Sequence, residues 1–274
     1  MKFIGFARSA VTIAALCGSV TLAVAEPKLV EAGKLSIGSD MTYPPFVYLA
    51  DEKPTGFDVD VMEAIASRMG LPTDWVDTRF AALIPGIRAG HFDIIASALY
   101  VTEERQQVLS FVPYTKAGSS IMVLASAADK PASISDLCGK TVSSIRGASW
   151  IPKLADSAAE ECDGQTIEVR EFDTDAQATQ ALRAGGVDAQ FIDNVVAAEV
   201  VARQGEEFEV TSTEVLYPVL VAFAVLPENT ELLDAVNTAL AEIRADGTFE
   251  EIRARYGMAE VTDEEIAEIV GANR

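Results

Sequence analysis

The sequence predicts an α/β protein built from two similar lobes. Short apolar strands alternate with helical segments along the chain, which is typical of a parallel or mixed sheet flanked by helices. Residues 26–274 are more than a single hydrophobic core usually holds. One helix–glycine–strand element occurs twice, which indicates two units of similar build.

Residues 1–25 have the pattern of a cleavable signal peptide. Two basic residues precede an apolar run from residue 10 to residue 25, which ends in Ala-Val-Ala. This run is shorter than the ~20 residues that a transmembrane anchor needs. Cys17 would suggest a lipoprotein, but Leu16 stands where a small residue is required. The sequence therefore predicts a secreted, periplasmic protein.

The composition is strongly acidic, with a formal net charge of −21 for the whole chain. Such a surface repels nucleic acid and anionic lipid, so we expect no nucleic-acid partner. The chain has a single histidine, His91, and no cluster of cysteine and histidine. We therefore expect neither a metal site nor a cofactor.

Two cysteines, Cys138 and Cys162, remain once the signal segment is removed. An even pair in an exported protein indicates a disulfide. The bridge would close a loop of about 25 residues and contribute roughly 3 kcal/mol in the chain-entropy picture. A catalytic thiol or a metal-binding pair is the alternative.

The first elements of the exported part are a strand at residues 34–39, a turn-rich Tyr-Pro-Pro segment and a helix. Asp58 has the position of an N-cap, and Gly70 ends the helix. Apolar residues recur between them at helical spacing, which predicts that one face is buried.

The repeated element is a helix that stops at glycine and leads into a strand that opens with aspartate. It spans residues 83–97 and again residues 181–193. Ligands of open α/β sheets lie beyond the carboxyl ends of the strands. We therefore expect a binding site just after Ser97 and around Asp193.

Arg105 is a candidate for binding an anion in that region. Thr102 is a good N-cap, so Arg105 stands at the start of a short helix, where free N–H groups attract anions. A guanidinium there can hold a carboxylate through two hydrogen bonds. From the spacing alone, an arginine that only lies on the solvated surface is an equally good interpretation.

Six motifs follow one another along the mature chain. They are GSDMTYPPF (38–46), GFDVD (56–60), FAALIP (80–85), TEER (102–105), DLCGK (136–140) and DGTF (246–249). In this order and spacing they resemble the polar amino-acid-binding family of periplasmic solute-binding proteins. The resemblance implies the type II binding-protein fold, with lobe 1 at residues 26–118 and 220–274 and lobe 2 at residues 119–219. Two hinge crossings are expected, near residues 117–120 and 217–219.

The resemblance also implies how a zwitterionic ligand is held. Arg105 matches the arginine that binds the α-carboxylate, and Ser149 matches the position whose backbone N–H joins it from the second lobe. Asp193 matches the acid that receives the α-ammonium.

Aromatic residues are implied around the ligand side chain. Tyr43 and Phe80 match the aromatic walls, and Asp40 lies beside them. Ala98 stands where serine or glycine is common, with its carbonyl still available. Tyr100 replaces a serine or threonine hydroxyl, which is similar to the ectoine-binding members of the family.

The function implied is that of a monomeric, non-enzymatic binding protein. It would deliver an amino acid or similar zwitterion to the permease of an ABC importer in the inner membrane. A compatible solute or an opine is the alternative ligand. Two other classes remain open, a cyclohexadienyl or arogenate dehydratase of the same fold and the sensory module of a receptor.

Overall fold

The computed structural model describes residues 27–262 and 264–267, and it confirms the α/β fold class. The signal peptide predicted at residues 1–25 lies outside the described residues. The strands are β1 Leu35–Ser39, β2 Thr42–Tyr43, β3 Val47–Ala50, β4 Lys53–Thr55, β5 Thr73–Asp77, β6 Ile94–Tyr100, β7 Ser110–Leu124, β8 Thr141–Ile145, β9 Glu168–Phe172, β10 Ala189–Asp193, β11 Phe208–Val210 and β12 Leu216–Val225. The helices are α1 Phe57–Met69, α2 Leu83–Arg88, α3 Glu103–Gln106, α4 Trp150–Glu161, α5 Asp175–Arg183, α6 Asn194–Gln204, α7 Thr230–Ala245 and α8 Thr248–Tyr256.

One large mixed sheet runs through the molecule in the order β5-β1-β6-β12-β7-β10-β8-β9, with β11 paired to β7. At one end β1 lies parallel to β5 and β6, and at the other end β8 lies parallel to β9 and β10. We call the part built on β1, β5 and β6 the first lobe and the part built on β8, β9 and β10 the second lobe. A small separate sheet, β2-β3-β4, belongs to the first lobe.

The long strand β7 connects the two lobes. Its residues from Ser110 to Ala117 pair with β12, and its residues from Ser119 to Met122 pair with β10 of the second lobe. β12 also reaches across, since Leu216 pairs with Ser119 while Val221 pairs with Tyr100 of β6. Both strands pass the segments where the hinge crossings are predicted. The exact lobe boundaries stay a prediction.

The repeated helix–glycine–strand element is present in both lobes, as predicted. Gly90 and Gly185 follow α2 and α5 with left-handed φ angles of 74° and 68°. Asp93 then accepts a backbone N–H near the start of β1 at 2.9 Å, and Asp188 accepts one at the start of β8 at 2.8 Å. Each aspartate thus ties its own strand to the neighbouring parallel strand.

The predicted N-cap of α1 is wrong, although the helix and its end at Gly70 are confirmed. Gly56 precedes the helix, and Asp58 lies inside it, fully buried. The Asp58 carboxylate accepts the hydroxyl of Tyr114 at 2.6 Å and the N–H of Ala98 at 2.7 Å. Its partners therefore come from β7 and β6, and it joins the helix to the strands instead of capping it.

The predicted disulfide between Cys138 and Cys162 is confirmed, with the two Cα atoms 5.3 Å apart. It links the segment before β8 to the C-terminal end of α4. In the described part of the chain, every helix is too short or too polar to cross a membrane.

Candidate functional site

The predicted site residues follow the carboxyl ends of strands in both lobes. In the first lobe β1 ends at Ser39 and β6 ends at Tyr100, while in the second lobe β8 ends at Ile145 and β10 ends at Asp193. The carboxyl ends of parallel strands meet at one edge of a sheet, so each lobe gathers its site residues at one edge. The two edges contact each other, because Tyr100 of β6 donates a hydrogen bond to Asp193 of β10.

A small enclosed cavity lies between these edges. Its volume is about 10 Å³, which is room for roughly one water molecule. Six of the eight predicted site residues line it, joined by three that the prediction missed. The lining residues are Tyr43, Phe80, Ala98, Tyr100, Arg105, Ile145, Ala148, Ser149 and Trp150.

A wider cavity of about 930 Å³ adjoins the small one. Arg105, Ala148 and Ser149 line both cavities, so the wide cavity leads from solvent to the small cavity. Ligand pockets usually measure 300–1,000 Å³. A ligand of amino-acid size therefore fits the wide cavity, whereas the small cavity holds no more than about one water molecule.

Arg105 is a buried cation without a carboxylate partner among the described residues. It is 8 % exposed, and its guanidinium donates to the carbonyls of Tyr100 at 2.9 Å and Gly147 at 3.1 Å. The guanidinium also lies over the ring of Phe80, 5.6 Å from its centre. Burial lowers the pKa of Arg105 to about 10, so it stays charged at neutral pH. Its two carbonyl partners come from different lobes.

Ser149 immediately precedes α4, so it lies at the end of the helix whose free N–H groups favour a carboxylate. The neighbouring Gly147 has a left-handed φ of 82°, and a Cβ there would lie 3.2 Å from Cα of Ala81 in the first lobe. Glycine therefore permits both the turn into α4 and the close approach of the two lobes. Thr102 caps α3 as predicted, accepting the N–H of Arg105 at 3.2 Å.

Asp193 reaches the small cavity through Tyr100. The Tyr100 hydroxyl lies 2.5 Å from one carboxylate oxygen of Asp193 and 2.7 Å from the carbonyl of Gly118. The other oxygen of Asp193 accepts the N–H groups of Val195 and Val196, which caps α6. A hydroxyl has one hydrogen, so it can donate to only one of its two acceptors at a time. If Asp193 carries a proton or binds a cationic donor, the Tyr100 hydroxyl is free to donate to the carbonyl of Gly118.

Asp40 does not line either cavity. Its carboxylate accepts the Phe80 N–H at 2.8 Å and the Thr42 hydroxyl at 2.7 Å, and it pairs with Arg79 at 3.0 Å. These contacts fix the backbone of Phe80, one of the two predicted aromatic walls. The direct ligand contact suggested for Asp40 stays a prediction.

The sequence did not reveal the roles of two residues near the site, Trp150 and Asp58. Trp150 meets the ring of Tyr100 edge-on at 5.6 Å and donates from its indole N–H to Ser144 at 2.8 Å. Its position directly after Ser149 in the sequence could have indicated that it lies at the site. Asp58 holds the N–H of Ala98, which has a left-handed φ of 47° that a non-glycine residue adopts only under constraint. No local pattern indicates that contact.

Three buried carboxyl groups have pKa values far above the ordinary range. Burial raises the pKa of Asp193 to about 6 and that of Asp58 to about 7. Burial, together with the negative charge of Asp193, raises the pKa of Asp175 to about 8. Within the described residues, no group of three or more His, Cys, Asp or Glu side chains is arranged to hold a metal ion.

We expect the ligand-free protein to lose stability as the pH rises from 5 to 8. Carboxyls with raised folded-state pKa values bind more protons in the folded state than in the unfolded state, so deprotonation favours unfolding. The loss should be at least about 2 kcal/mol, since each carboxyl contributes up to about 1.4 kcal/mol per pH unit. Urea denaturation at unit pH steps measures it, with Asp58→Asn flattening the slope. A free energy of unfolding that stays constant or increases over this range contradicts the expectation.

Comparison with known proteins assigns the chain to a class. Residues 35–259 match the family of bacterial extracellular solute-binding proteins, family 3. The histidine-binding periplasmic protein of Salmonella typhimurium is 32% identical over 238 residues, covering 81% of this chain and 87% of that protein. The lysine/arginine/ornithine-binding periplasmic protein of Escherichia coli is 30% identical over 262 residues, covering 91% and 96%.

A solved structure has a similar fold. An ancestral arginine-binding protein bound to arginine is 32% identical, with a TM-score of 0.75 over 82% of this chain and 98% of that one. The chain therefore belongs to family 3 of the bacterial extracellular solute-binding proteins. It is a binding protein and not an enzyme, which disfavours the dehydratase alternative.

Proposed function

We propose that this protein captures an amino acid, or a zwitterion of similar build, between its two lobes and delivers it to the permease of an ABC importer. Arg105 carries the proposal. It is a buried guanidinium between the lobes, and none of the described carboxylates pairs with it. A ligand carboxylate would supply the missing partner, with further donors at the start of α4.

The second half of the proposal concerns the ligand's ammonium group. Asp193 is fully buried at the carboxyl edge of the second lobe, and Tyr100 from the first lobe contacts it. A zwitterion bound to both Arg105 and Asp193 would contact both lobes, so its binding would favour the arrangement in which they are close. The lobes would move about β7 and β12, near residues 117–120 and 217–219. The relatives named for binding histidine, lysine, arginine and ornithine support this ligand class.

The site would work outside the cytoplasm, in agreement with the signal peptide predicted at residues 1–25. The acidic charge of −21 disfavours nucleic acid as a partner. A monomeric state is sufficient, because both halves of the site come from one chain.

A compatible solute or an opine is the second candidate ligand. Tyr100 favours it, because its ring packs edge-on against Trp150 and its hydroxyl contacts Asp193, with Tyr43 lining the same cavity. Aromatic rings around a negative site suit a diffuse positive charge through cation–π contact.

A thermal-shift screen of the secreted protein tests the proposed function. The panel contains the protein amino acids, octopine, glycine betaine and ectoine, with sugars and dicarboxylates as controls. A ligand at about 100 times its Kd should stabilise the folded protein by about 2.7 kcal/mol. We expect at least one zwitterion to raise the melting temperature and calorimetry to give one site per chain. Stabilisation by sugars or dicarboxylates alone would refute the proposal.

A further inference from the structure

Asp175, the first residue of α5, has a buried carboxylate with one unused oxygen. Asp175 is only 4 % exposed. Its Oδ1 accepts the side-chain amide of Gln190 at 3.1 Å, and Gln190 in turn accepts the hydroxyl of Thr179 at 2.8 Å. Its Oδ2 has no hydrogen-bond partner. The network holds the carboxylate in place and leaves one oxygen available.

The position of Asp175 places it beside the site. Strand β9 is parallel to β8, and β8 is parallel to β10, so all three strands end at the same edge of the sheet. Because β9 ends at Phe172, α5 begins at the edge where Asp193 also lies. Helix α5 of the second lobe also contacts β2 of the first lobe, which contains Tyr43. Burial and, to a smaller extent, the charge of Asp175 raise the pKa values of Tyr43 and Tyr100, both of which line the small cavity.

The cap of α5 does not require an acid at this position. Thr174 is the N-cap of α5 and accepts the N–H of Gln177, so Asp175 is not needed as the cap. A buried polar atom without a hydrogen-bond partner destabilises the folded state. Each such atom in a native protein therefore needs an explanation. The one other such side-chain atom among the described residues is Oγ of Ser119, whose register partner on β10 is Asp193. Both unused atoms therefore lie at the carboxyl edge of the second lobe with Asp193, although neither residue lines the two cavities.

The charge balance points to a cation. Among the described residues Arg105 is the one buried cation, and it forms no ion pair with either Asp175 or Asp193. Burial and the negative charges of Asp193 and Asp40 raise the pKa of Asp175 to about 8, so its carboxyl binds a proton at neutral pH unless a cationic group takes the place of that proton. A zwitterion would neutralise Arg105 and Asp193 and leave Asp175 without a partner.

We propose that Asp175 determines specificity by accepting a cationic group on the ligand's side chain, so that the preferred ligands are amino acids with a second positive charge. This inference rests on the proposed function and narrows it. Arg105 would bind the carboxylate, Asp193 the α-ammonium, and Asp175 a guanidinium or distal ammonium. Oδ2 would gain the donor that it lacks, as a charge-assisted hydrogen bond.

Arginine and citrulline provide a matched pair of probes, because citrulline replaces the guanidinium by a neutral group of nearly the same shape. We expect calorimetry of the wild-type protein to give at least tenfold tighter binding of arginine. Asp175→Asn should reduce that preference to less than threefold, mainly by weakening the binding of arginine. Asp173→Asn is the matched control, since Asp173 lies two residues before Asp175 but is exposed and paired with Arg146. It should keep the wild-type preference.

The outcomes separate the inference from the function on which it rests. A wild-type protein that binds citrulline or another neutral zwitterion as tightly as arginine overturns the role of Asp175 and leaves the proposed function intact. A preference for arginine that survives Asp175→Asn overturns the role as well. If no zwitterion binds at all, the proposed function fails and the inference fails with it. If Asp175→Asn does not fold, equal binding of arginine and citrulline by the wild-type protein still refutes the inference.

Discussion

Replacing Arg105 with alanine is expected to weaken binding of the tightest zwitterion about a hundredfold or more. The ligand carboxylate would be buried without its partner, which costs roughly 3–5 kcal/mol. The variant should still fold, because the guanidinium has no carboxylate partner in the described structure and contributes mainly two hydrogen bonds to carbonyls. Titration calorimetry measures the affinity, and far-UV circular dichroism verifies the fold.

Two comparisons make the Arg105 experiment specific. Arg170→Ala removes an exposed arginine that pairs with Glu168 on β9, and it should leave the affinity unchanged. A ligand analogue without the carboxylate should bind the wild-type protein and Arg105→Ala with similar affinity, since neither can form the contact. A loss of less than fivefold for the complete ligand would mean that Arg105 does not hold the carboxylate.

The features that could be predicted from the sequence are those fixed by neighbouring residues. Gly90 and Gly185 end helices in the left-handed region, where glycine has no side chain to clash. Asp93 and Asp188 open strands at the same place in both copies of the repeat. Thr102 accepts a backbone N–H three residues ahead, as its N-cap pattern predicts. Each of these signals acts within a few residues, so a single sequence contains it.

The features that could not be predicted depend on contacts between distant segments. Asp58 resembles an N-cap in the sequence, but its partners Ala98 and Tyr114 are 40 and 56 residues away along the chain. No local pattern reveals that Asp40 accepts the N–H of Phe80 and pairs with Arg79.

Asp175 was hidden for a related reason. It is one of 42 acidic residues, and an acid at the start of a helix is usually explained by the helix dipole. Only its burial and its unused oxygen distinguish it from the others. The resemblance to a family predicts most of the residues that line the small cavity. The burial and partners of Asp175 depend on packing, which the sequence motifs do not contain.

Replacing Asp193 with asparagine is expected to weaken zwitterion binding by about 2–3 kcal/mol, on the order of a hundredfold, because the ammonium loses a charged hydrogen-bond acceptor. Asparagine keeps an oxygen for the N–H groups of Val195 and Val196, so α6 should remain capped. Asp188→Asn is the matched control, since Asp188 stands at the opposite end of β10 and binds a backbone N–H of β8.

The pH dependence distinguishes a direct contact of Asp193 from a structural role. Burial raises the pKa of Asp193 to about 6 in the ligand-free protein, and a cationic group binds the deprotonated form. Wild-type affinity should therefore increase as the pH rises from 5 to 7, with release of a proton on binding. In Asp193→Asn this part of the pH dependence should disappear, and a ligand analogue without the ammonium should bind both proteins similarly. If the variant keeps the wild-type pH profile, Asp193 caps α6 and does not bind the ammonium.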